Sequence, residues 1–332
     1  MINNKMKCRR NCSLRRCFHD LCNGWSVIHQ KGKGSTNFEV IRKGLVMNMA
    51  ENIWPEGKKC AFCLGFDMDS NLIWFNKIKD MENGMQFIKG PSVGEYGPKR
   101  GVDRIMNLLE KYGVKATFFI PAVNMERNVP LVERILDNGH EIAHHGLYHE
   151  PSYGDTVEEQ LEIIDKSQEI FKRIIGKPAA GFRCTGGLCE EAEEVLYNDS
   201  NTLYTCQGES SELPVFMEVK GKKTHTVRIS CRQEVDDYIQ MVYNAYPPIP
   251  AGLPRISAYE DVLSNFKDEV DGTLRFGGVL STAFHPQVSG SPGKSKILDQ
   301  LLAYITSKPE IWCTSCEEVA SYWQKKGGAA NV

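Results

Sequence analysis

The sequence predicts an α/β fold in which short buried strands alternate with helices along the chain. Two observations support this prediction: apolar runs bounded by turn residues recur, and segments with helical apolar spacing follow most of them. Repeated strand–helix order requires parallel strands joined by right-handed crossovers. An open doubly wound sheet and a closed barrel both satisfy that order, and periodicity alone does not choose between them.

The predicted strands are apolar runs that glycine, proline or polar residues bound on either side. In chain order they are CAFCLGFDM (60–68), ATFFIP (116–121), EIAHH (141–145), AAGFRC (179–184), TLYTC (202–206), GGVLSTAFHP (277–286) and EIWCTSC (310–316). A further strand falls on PVFMEV (214–219) or TVRIS (226–230). Together with the helices between them, these runs make about seven strand–helix units.

The predicted helices combine an apolar stripe with recognisable ends. In the segment 97–113 the apolar residues recur on one helical face, and Gly113 follows as a stop signal. Thr156 and Glu159 have the spacing of a capping box at the start of helix 156–176. The remaining helices are predicted at 130–139, 190–198, 258–270, 295–307 and 317–326.

Charge and cysteine usage limit the partners and the location. Net charge is −2, yet residues 1–46 hold ten Lys and Arg against two acidic residues, which leaves −10 for the rest of the chain. The bulk of the protein therefore has no basic surplus that would favour nucleic acid. No apolar run approaches the roughly 18 residues of a membrane span. Twelve cysteines without a secretory signal favour reduced thiols and a cytoplasmic location.

Residues 1–46 differ in composition from the rest of the chain. Cys8, Cys12, Cys17 and Cys22 lie in this segment, but their spacing lacks the paired C-x-x-C units of a structural zinc site. We expect residues 1–46 to be a disordered basic extension or an over-long gene start. Residues 47–332 are expected to form a single catalytic domain.

Histidines are concentrated in NGHEIAHHGLYHE (138–150), which holds four of the eight in the chain. His145 and His149 are four apart and follow a predicted strand, while Asp67 and Asp69 follow an earlier one. The carboxyl ends of parallel strands meet at one edge, where α/β barrels place their chemistry. Asp69, His145 and His149 would bind a divalent metal, most simply zinc, and leave positions open for water and substrate.

Three further residues at strand ends have the chemistry of a hydrolase. Beside a metal site, Asp67 could accept a proton from water, and His285 could protonate a departing nitrogen. Arg183 could hold Asp67 in place. Each residue alone has an ordinary structural interpretation as a strand-end cap, a turn or a surface pair, but their coincidence at successive strand ends favours a site. We interpret His140 and His144 as structural, because alternation from His145 points His144 toward the helices.

The stretches GFDMDS, GHEIAHHGLYH, GFRCTGG and STAFHPQVSGSPG, in this order, resemble the polysaccharide deacetylase family with its NodB-homology domain (carbohydrate esterase family four). The resemblance covers roughly residues 58–325. It implies a distorted (β/α) barrel with about seven parallel strands and a metal-dependent hydrolase that removes N-acetyl groups from amino sugars. By motif position it implies these roles: Asp67 as base, Asp69, His145 and His149 as metal ligands, Arg183 as the residue that orients the base, and His285 as acid.

One departure from the family pattern bears on the substrate. The usual aspartate pair is adjacent, whereas Met68 separates Asp67 from Asp69 here. In this the chain is similar to the branch that includes intracellular peptidoglycan-deacetylase-like proteins, cyclic imidases and metal-independent allantoinases. Ring-opening hydrolysis of a small cyclic amide is therefore an alternative function, and a catalytically silent carbohydrate-binding barrel is another. The expected partner is a small-molecule or oligosaccharide amide substrate. The sequence does not determine whether the protein forms a homo-oligomer.

Two cysteine pairs have the spacing of metal knuckles, Cys60 with Cys63 and Cys313 with Cys316. In a closed barrel the first and last strands are neighbours, so the four thiols would lie near one another. Residues three apart on a strand nevertheless face opposite sides, so neither pair can chelate as a unit. We predict buried reduced thiols rather than a second zinc site.

We predict that residues 1–46 are dispensable. A chain that begins at Met47 should match the full-length protein in far-ultraviolet circular dichroism and in turnover, because the composition of the extension cannot build a core. The full-length chain, purified in parallel, is the control. Loss of fold or of activity in the shortened chain would overturn this prediction.

Overall fold

The computed structural model describes residues 53–87, 89–208, 211–242 and 257–327. These residues belong to one unit, Asn48–Val332. The predicted extension 1–46, with its four cysteines, lies outside the described residues, as does the proposed start at Met47. In the described residues no helix has the length and apolar character needed to cross a membrane.

With the exception of β9, the described strands follow the predicted apolar runs. In chain order they are β1 (Cys60–Cys63), β2 (Gly65–Asp67), β3 (Thr117–Ile120), β4 (Glu141–His144), β5 (Gly181–Phe182), β6 (Tyr204–Cys206), β7 (Val215–Val219), β8 (Lys222–Ile229), β9 (Cys231–Asp236), β10 (Val279–Ala283) and β11 (Ile311–Thr314). PVFMEV and TVRIS, which the sequence offers as alternatives, both lie in strands, and β7 pairs antiparallel with β8.

The described strands close into a ring with seven parallel members, in which β8 and β9 count as one strand. From β2 the order runs through β3, β4, β5 and β6 to β8, with each pair parallel. β8 is followed after one residue by β9, which pairs in parallel with β10. Hydrogen bonds between Phe284 and the β2 backbone then join β10 to β2. β11 pairs with β1 beside this ring. The predicted distorted (β/α) barrel is therefore confirmed.

Helices occupy the connections between strands. They are α1 (Leu72–Ile78), α2 (Lys89–Tyr96), α3 (Val102–Tyr112), α4 (Ala122–Arg127), α5 (Val129–Asp137), α6 (Val157–Ile175), α7 (Glu190–Asn198), α8 (Asp237–Met241), α9 (Tyr259–Phe276), α10 (Pro286–Ser289), α11 (Ser295–Thr306) and α12 (Cys316–Lys325). The capping box predicted for Thr156 and Glu159 is present at the start of α6. Gly113 ends α3 in the left-handed conformation.

The two faces of the strands belong to different parts of the core. Cys60 and Phe118 pack with the apolar stripes of α3 and α11, whereas Cys63 and Phe119 belong to a second cluster with residues of β4, β6 and β8. Successive side chains of a strand point to opposite faces, which explains this division. The interior of the barrel thus holds the second cluster, and the rim above it receives the residues that follow each strand.

Several elements were not predicted from the sequence. α1, α2, α8 and β9 were all missed, and the predicted helix 97–113 begins with a π turn at Gly97–Gly101 before α3. β9 lacks an apolar run because most of its side chains are partly or fully exposed. α1 is only seven residues long, which is too short for a helical stripe to be distinguished from a loop.

Candidate active site

A carboxylate and two imidazoles converge at the rim of the barrel. The Oδ1 atom of Asp69 lies 3.3 Å from Nε2 of His145 and 3.5 Å from Nε2 of His149. One ligand atom from each residue fits within 4.8 Å of the other two. Asp69 and His145 are buried, while His149 is half-buried and borders the solvent side.

The environment of Asp69 fits a divalent cation. Its side chain is fully buried, yet neither carboxylate oxygen has a hydrogen-bond partner among the described residues. Burial opposes ionisation, but His149, His145 and His285 outweigh it and hold the pKa of Asp69 below its usual value. A buried anion without donors normally pairs or binds metal. One carboxylate with two imidazoles is a donor set that zinc accepts.

A hydrogen bond from the far side of the ring fixes the orientation of His145. Its Nδ1 atom lies 2.8 Å from the carbonyl oxygen of Arg183, so Nδ1–H donates and Nε2 is directed at Asp69. Burial disfavours the imidazolium, but Asp67 and Asp69 outweigh burial and raise the pKa of His145. A proton therefore competes with a metal for Nε2, and we expect metal affinity to fall in acid.

The turn between the two histidines is held by local hydrogen bonds. The Glu150 carboxylate accepts from the backbone N–H groups of Leu147 and Tyr148 at 3.0 and 2.7 Å. Gly146 has φ 80°, and a Cβ there would lie 2.4 Å from Oε2 of Glu150. His149 itself has φ 56°, a conformation that costs a non-glycine residue energy and is often found at functional sites.

Asp67 lies beside the trio as one half of a buried ion pair. Nη1 of Arg183 donates to Oδ1 of Asp67, and both side chains are about 95% buried. The other carboxylate oxygen, Oδ2, is 3.9 Å from Nε2 of His145 and faces the candidate metal site. Burial opposes the charge of Arg183, but the negative groups around it, with Asp67 foremost, raise its pKa well above the usual value.

The guanidinium of Arg183 occupies the barrel interior below Asp67. It stacks on the Phe119 ring with its carbon 3.8 Å from the ring centroid, and Nη2 donates to the Thr282 carbonyl at 3.0 Å. Gly65 makes room for it: a Cβ at that position would lie 2.8 Å from Nη2 of Arg183 and 2.3 Å from the Thr282 oxygen. β2 can pass over the guanidinium only because residue 65 has no side chain.

His285 closes the opposite wall with a partner that was not predicted from the sequence. Its Nε2 lies 3.4 Å from Oδ2 of Asp69, and its Nδ1 lies 2.7 Å from Oδ1 of Asp237. Burial disfavours the imidazolium, but Asp237, Asp69 and Asp236 outweigh burial and raise the pKa of His285 well above its usual value. A histidine that holds its proton near neutral pH suits a general acid.

Asp237 is a support for His285 rather than a ligand. Its carboxylate accepts the backbone N–H groups of His285 and Ser289 at 3.1 Å, and the Ser289 hydroxyl as well. Asp236, Asp237 and His285 also have metal-ligand spacing, but these donors already satisfy Asp237. The sequence signal for Asp237 is EVDDYI (234–239), where two aspartates lie at the end of a strand. Because β9 was not predicted from the sequence, the position of these aspartates at the rim was not recognised.

The histidines interpreted as structural lie outside this constellation. His144 packs between the rings of Phe171, on α6, and Phe182, and burial lowers its pKa to about 3. It therefore faces the helices, as strand alternation predicts. Nδ1 of His140 accepts the Ala116 N–H at 3.2 Å.

The cysteine pairs also match the geometric expectation. Cys60 and Cys63 belong to different core clusters, and β1 and β11 are neighbours. All cysteines in the described part of the chain are free of disulfides, although Cys313 is half-buried rather than buried. No described group of three metal-binding side chains includes a cysteine.

Comparison with known proteins shows a similarity to the polysaccharide deacetylase family. The polysaccharide deacetylase family model matches residues 95–202, which contain His145 and His149. The peptidoglycan deacetylase of Helicobacter pylori is 24% identical over 293 residues, which span 81% of this chain and 98% of that protein. Over the matched residues the chain is similar to polysaccharide deacetylases. These similarities indicate a hydrolase that acts on carbon–nitrogen bonds other than peptide bonds.

Solved structures of the polysaccharide deacetylase fold superpose on the barrel. A Mycobacterium smegmatis protein assigned to the polysaccharide deacetylases has a TM-score of 0.74 at 23% identity, over 82% of this chain and 93% of that chain. Puue allantoinase has a TM-score of 0.68 at 20% identity, over 83% and 93%. At these identities the likeness shows the shared fold.

We predict that Gly65→Ala destabilises the protein by about 1–3 kcal/mol, the range typical of overpacked cores, and lowers turnover because it displaces Arg183. Chemical denaturation and a kinetic assay measure the two effects. Gly272→Ala is the control, because Gly272 lies in α9 with no atom within 4 Å of the added Cβ. Alanine there should be neutral or stabilise by up to about 1 kcal/mol. Equal behaviour of the two variants would contradict the steric argument.

We predict that Asp237→Asn shifts the alkaline limb of the pH–kcat profile to lower pH. A general acid works while protonated, so activity falls as pH rises through its pKa. Asp237 raises the pKa of His285, so removal of its charge brings that fall to lower pH. Asp236→Asn, whose carboxylate is 3.8 Å from Nδ1 of His285, should cause a smaller shift. An unshifted limb in Asp237→Asn would refute the assigned role.

Proposed function

We propose that the protein is a metal-dependent amide hydrolase that removes N-acetyl groups from amino sugars. The observation that carries this proposal is the arrangement at the barrel rim. An Asp–His–His trio lies between an Asp67–Arg183 ion pair and the His285–Asp237 pair on the opposite wall. The similarity to the Helicobacter pylori peptidoglycan deacetylase over nearly its whole length supports the choice of substrate.

Asp69, His145 and His149 would hold the metal, with zinc the first candidate. When bound, such an ion would polarise the amide carbonyl and lower the pKa of a water molecule. The protein contributes a fixed donor set: the Arg183 carbonyl holds His145, and the Glu150 turn holds the backbone before His149. Asn124 donates to the carbonyl oxygens of Met68 and Asp69 and holds the third ligand from behind.

Asp67 would accept a proton from the attacking water. Arg183 binds Oδ1 and leaves Oδ2 on the side of the ligand trio, so one oxygen is anchored and the other can act. As the water oxygen bonds to the carbonyl carbon, its proton passes to Oδ2. A general base in this position contributes on the order of 10²–10⁴-fold in rate.

His285 would donate a proton from Nε2 to the amide nitrogen as the carbon–nitrogen bond breaks. Its Nδ1–H is bonded to Asp237, which leaves Nε2 directed into the site. The products are then acetate and a free amine, and the proton taken by Asp67 balances the one that His285 gives. Asp67 lies beside His145 and His285 lies beside Asp69, so the two proton-transfer groups would contact the amide from different sides of the ligand trio.

A cyclic amide is the alternative substrate, because the same groups would open an imide or ureide ring. The likeness to Puue allantoinase supports this alternative. A hydrolysis screen separates the two: N-acetylglucosamine oligomers are set beside allantoin, succinimide and dihydrouracil. Release of acetate from the oligomers supports the proposal. Ring opening without acetate release would contradict the proposal and support a hydrolase of cyclic amides.

We predict that one of three variants loses both bound metal and turnover, whereas the other two lose turnover alone. His149→Ala should lose both bound metal and turnover. Asp67→Asn should keep the metal and the fold while kcat falls at least about a hundredfold, since it lacks the base. His285→Gln should also keep the metal and lose turnover. Elemental analysis of the purified proteins, with circular dichroism, measures metal content apart from activity.

His225→Ala is the matched histidine control for this set, because His225 lies on β8 and belongs to neither candidate metal group. It should keep both metal and turnover. Full activity in metal-depleted wild-type protein would instead make Asp67 the centre of a metal-independent reaction.

A further inference from the structure

Two cysteines lie on either side of the Ser281 hydroxyl in the barrel interior below the candidate active site. The Sγ atom of Cys206 is 3.3 Å from Oγ of Ser281, and the Sγ atom of Cys316 is 3.7 Å from it. Cys206 also contacts a residue of the candidate active site, because its Sγ atom lies 3.1 Å from Nη2 of Arg183. Neither the proposed reaction nor the family motifs account for this contact.

Burial alone has a clear effect on other thiols of the same barrel. It raises the pKa of Cys60 and of Cys313 to about 12, and neither contacts Arg183. Those two cysteines are neutral at physiological pH. Cys206 is as deeply buried as Cys60, so any difference between them must come from the groups around the sulfur.

The Cys206 sulfur contacts both the Arg183 guanidinium and the Ser281 hydroxyl. A guanidinium can only donate, so the sulfur accepts from Nη2 of Arg183. Nη2 also donates to Oγ of Ser281 at 3.0 Å, and that oxygen lies 3.3 Å from the Cys206 sulfur. Burial opposes ionisation, but Cys231, Cys316, Arg183 and Ser281 outweigh it and hold the pKa of Cys206 well below its usual value.

We propose that Cys206 is a positioning residue whose thiolate is the second anionic partner of the buried Arg183 guanidinium. The guanidinium then lies between two anions, the Asp67 carboxylate on Nη1 and the Cys206 sulfur on Nη2. The second anion prevents the guanidinium from tilting away from its position on Phe119. Its effect on turnover rests on the proposed function, because it acts through the orientation of Asp67. The ionisation of the thiol does not depend on that function.

The main test compares Cys206→Ser with Cys60→Ser in the full-length protein at neutral pH. Cys206→Ser should lower the ultraviolet thiolate absorbance and leave the Raman S–H stretching intensity unchanged. Cys60→Ser should do the reverse, because Cys60 is a buried neutral thiol that touches no cation. The opposite pattern, with S–H intensity lost in Cys206→Ser, would overturn the proposal.

Kinetics test the positioning role. In Cys206→Ser, kcat should fall about ten- to a hundredfold with little change in KM, since small displacements of catalytic groups have effects of this size. Cys206→Asp, which restores an anion, should recover most of the loss. Wild-type kcat in Cys206→Ser, or no recovery in a folded Cys206→Asp, would overturn the positioning role.

Two further outcomes are decided by the same measurements. If Cys206→Ser does not fold, the thiolate absorbance of wild type against Cys206→Asp decides the ionisation state, and equal absorbance overturns the proposal. If wild-type protein hydrolyses no amide substrate, the proposed function fails, whereas the spectroscopic comparison still decides whether Cys206 is a thiolate.

Discussion

The buried guanidinium of Arg183 is the constraint around which the barrel interior is arranged. A buried charge is tolerated only when it is paired and hydrogen-bonded, and loss of one partner from such a pair costs about 3–5 kcal/mol. Arg183 meets this requirement with Asp67 on one nitrogen and with Cys206, Ser281 and the Thr282 carbonyl on the other. Gly65 provides the space and Phe119 a flat surface. Four strands, β2, β3, β6 and β10, thus contribute to the environment of one side chain.

The fold and the convergence of the six candidate residues could be predicted because both depend on local order. Apolar runs alternate with helical stripes, so the strands had to be parallel, and residues that follow parallel strands meet at one rim. Asp67, Asp69, His145, Arg183 and His285 each lie at or just after a strand and are brought together as expected. The residue types then determine the chemistry that their assembly can perform.

The residues that support this site could not be predicted, because their roles depend on contacts between distant segments. Asp237 lies 48 positions before His285, after a strand whose exposed side chains give no apolar run. Cys206 is one of twelve cysteines, and nothing in TLYTC distinguishes it from a core thiol. Its distinction comes from the guanidinium that another strand places 3.1 Å away. Spacing along the sequence carries no information about such neighbours.

The candidate catalytic residues could be predicted from local order, whereas the residues that would select the substrate could not. In the proposed reaction the interior groups would serve any amide, because they orient Asp67 and His145 without reaching the substrate. Selection must come from the walls, and the wall beside His285 is aromatic: the ring of Tyr238 lies 5.5 Å from His285 and 6.3 Å from that of Trp74. These aromatic residues belong to α8 and α1, two elements that the sequence did not predict. The type of reaction proposed for the site could therefore be inferred from the motifs, whereas the choice of substrate would depend on the segments that were hardest to predict.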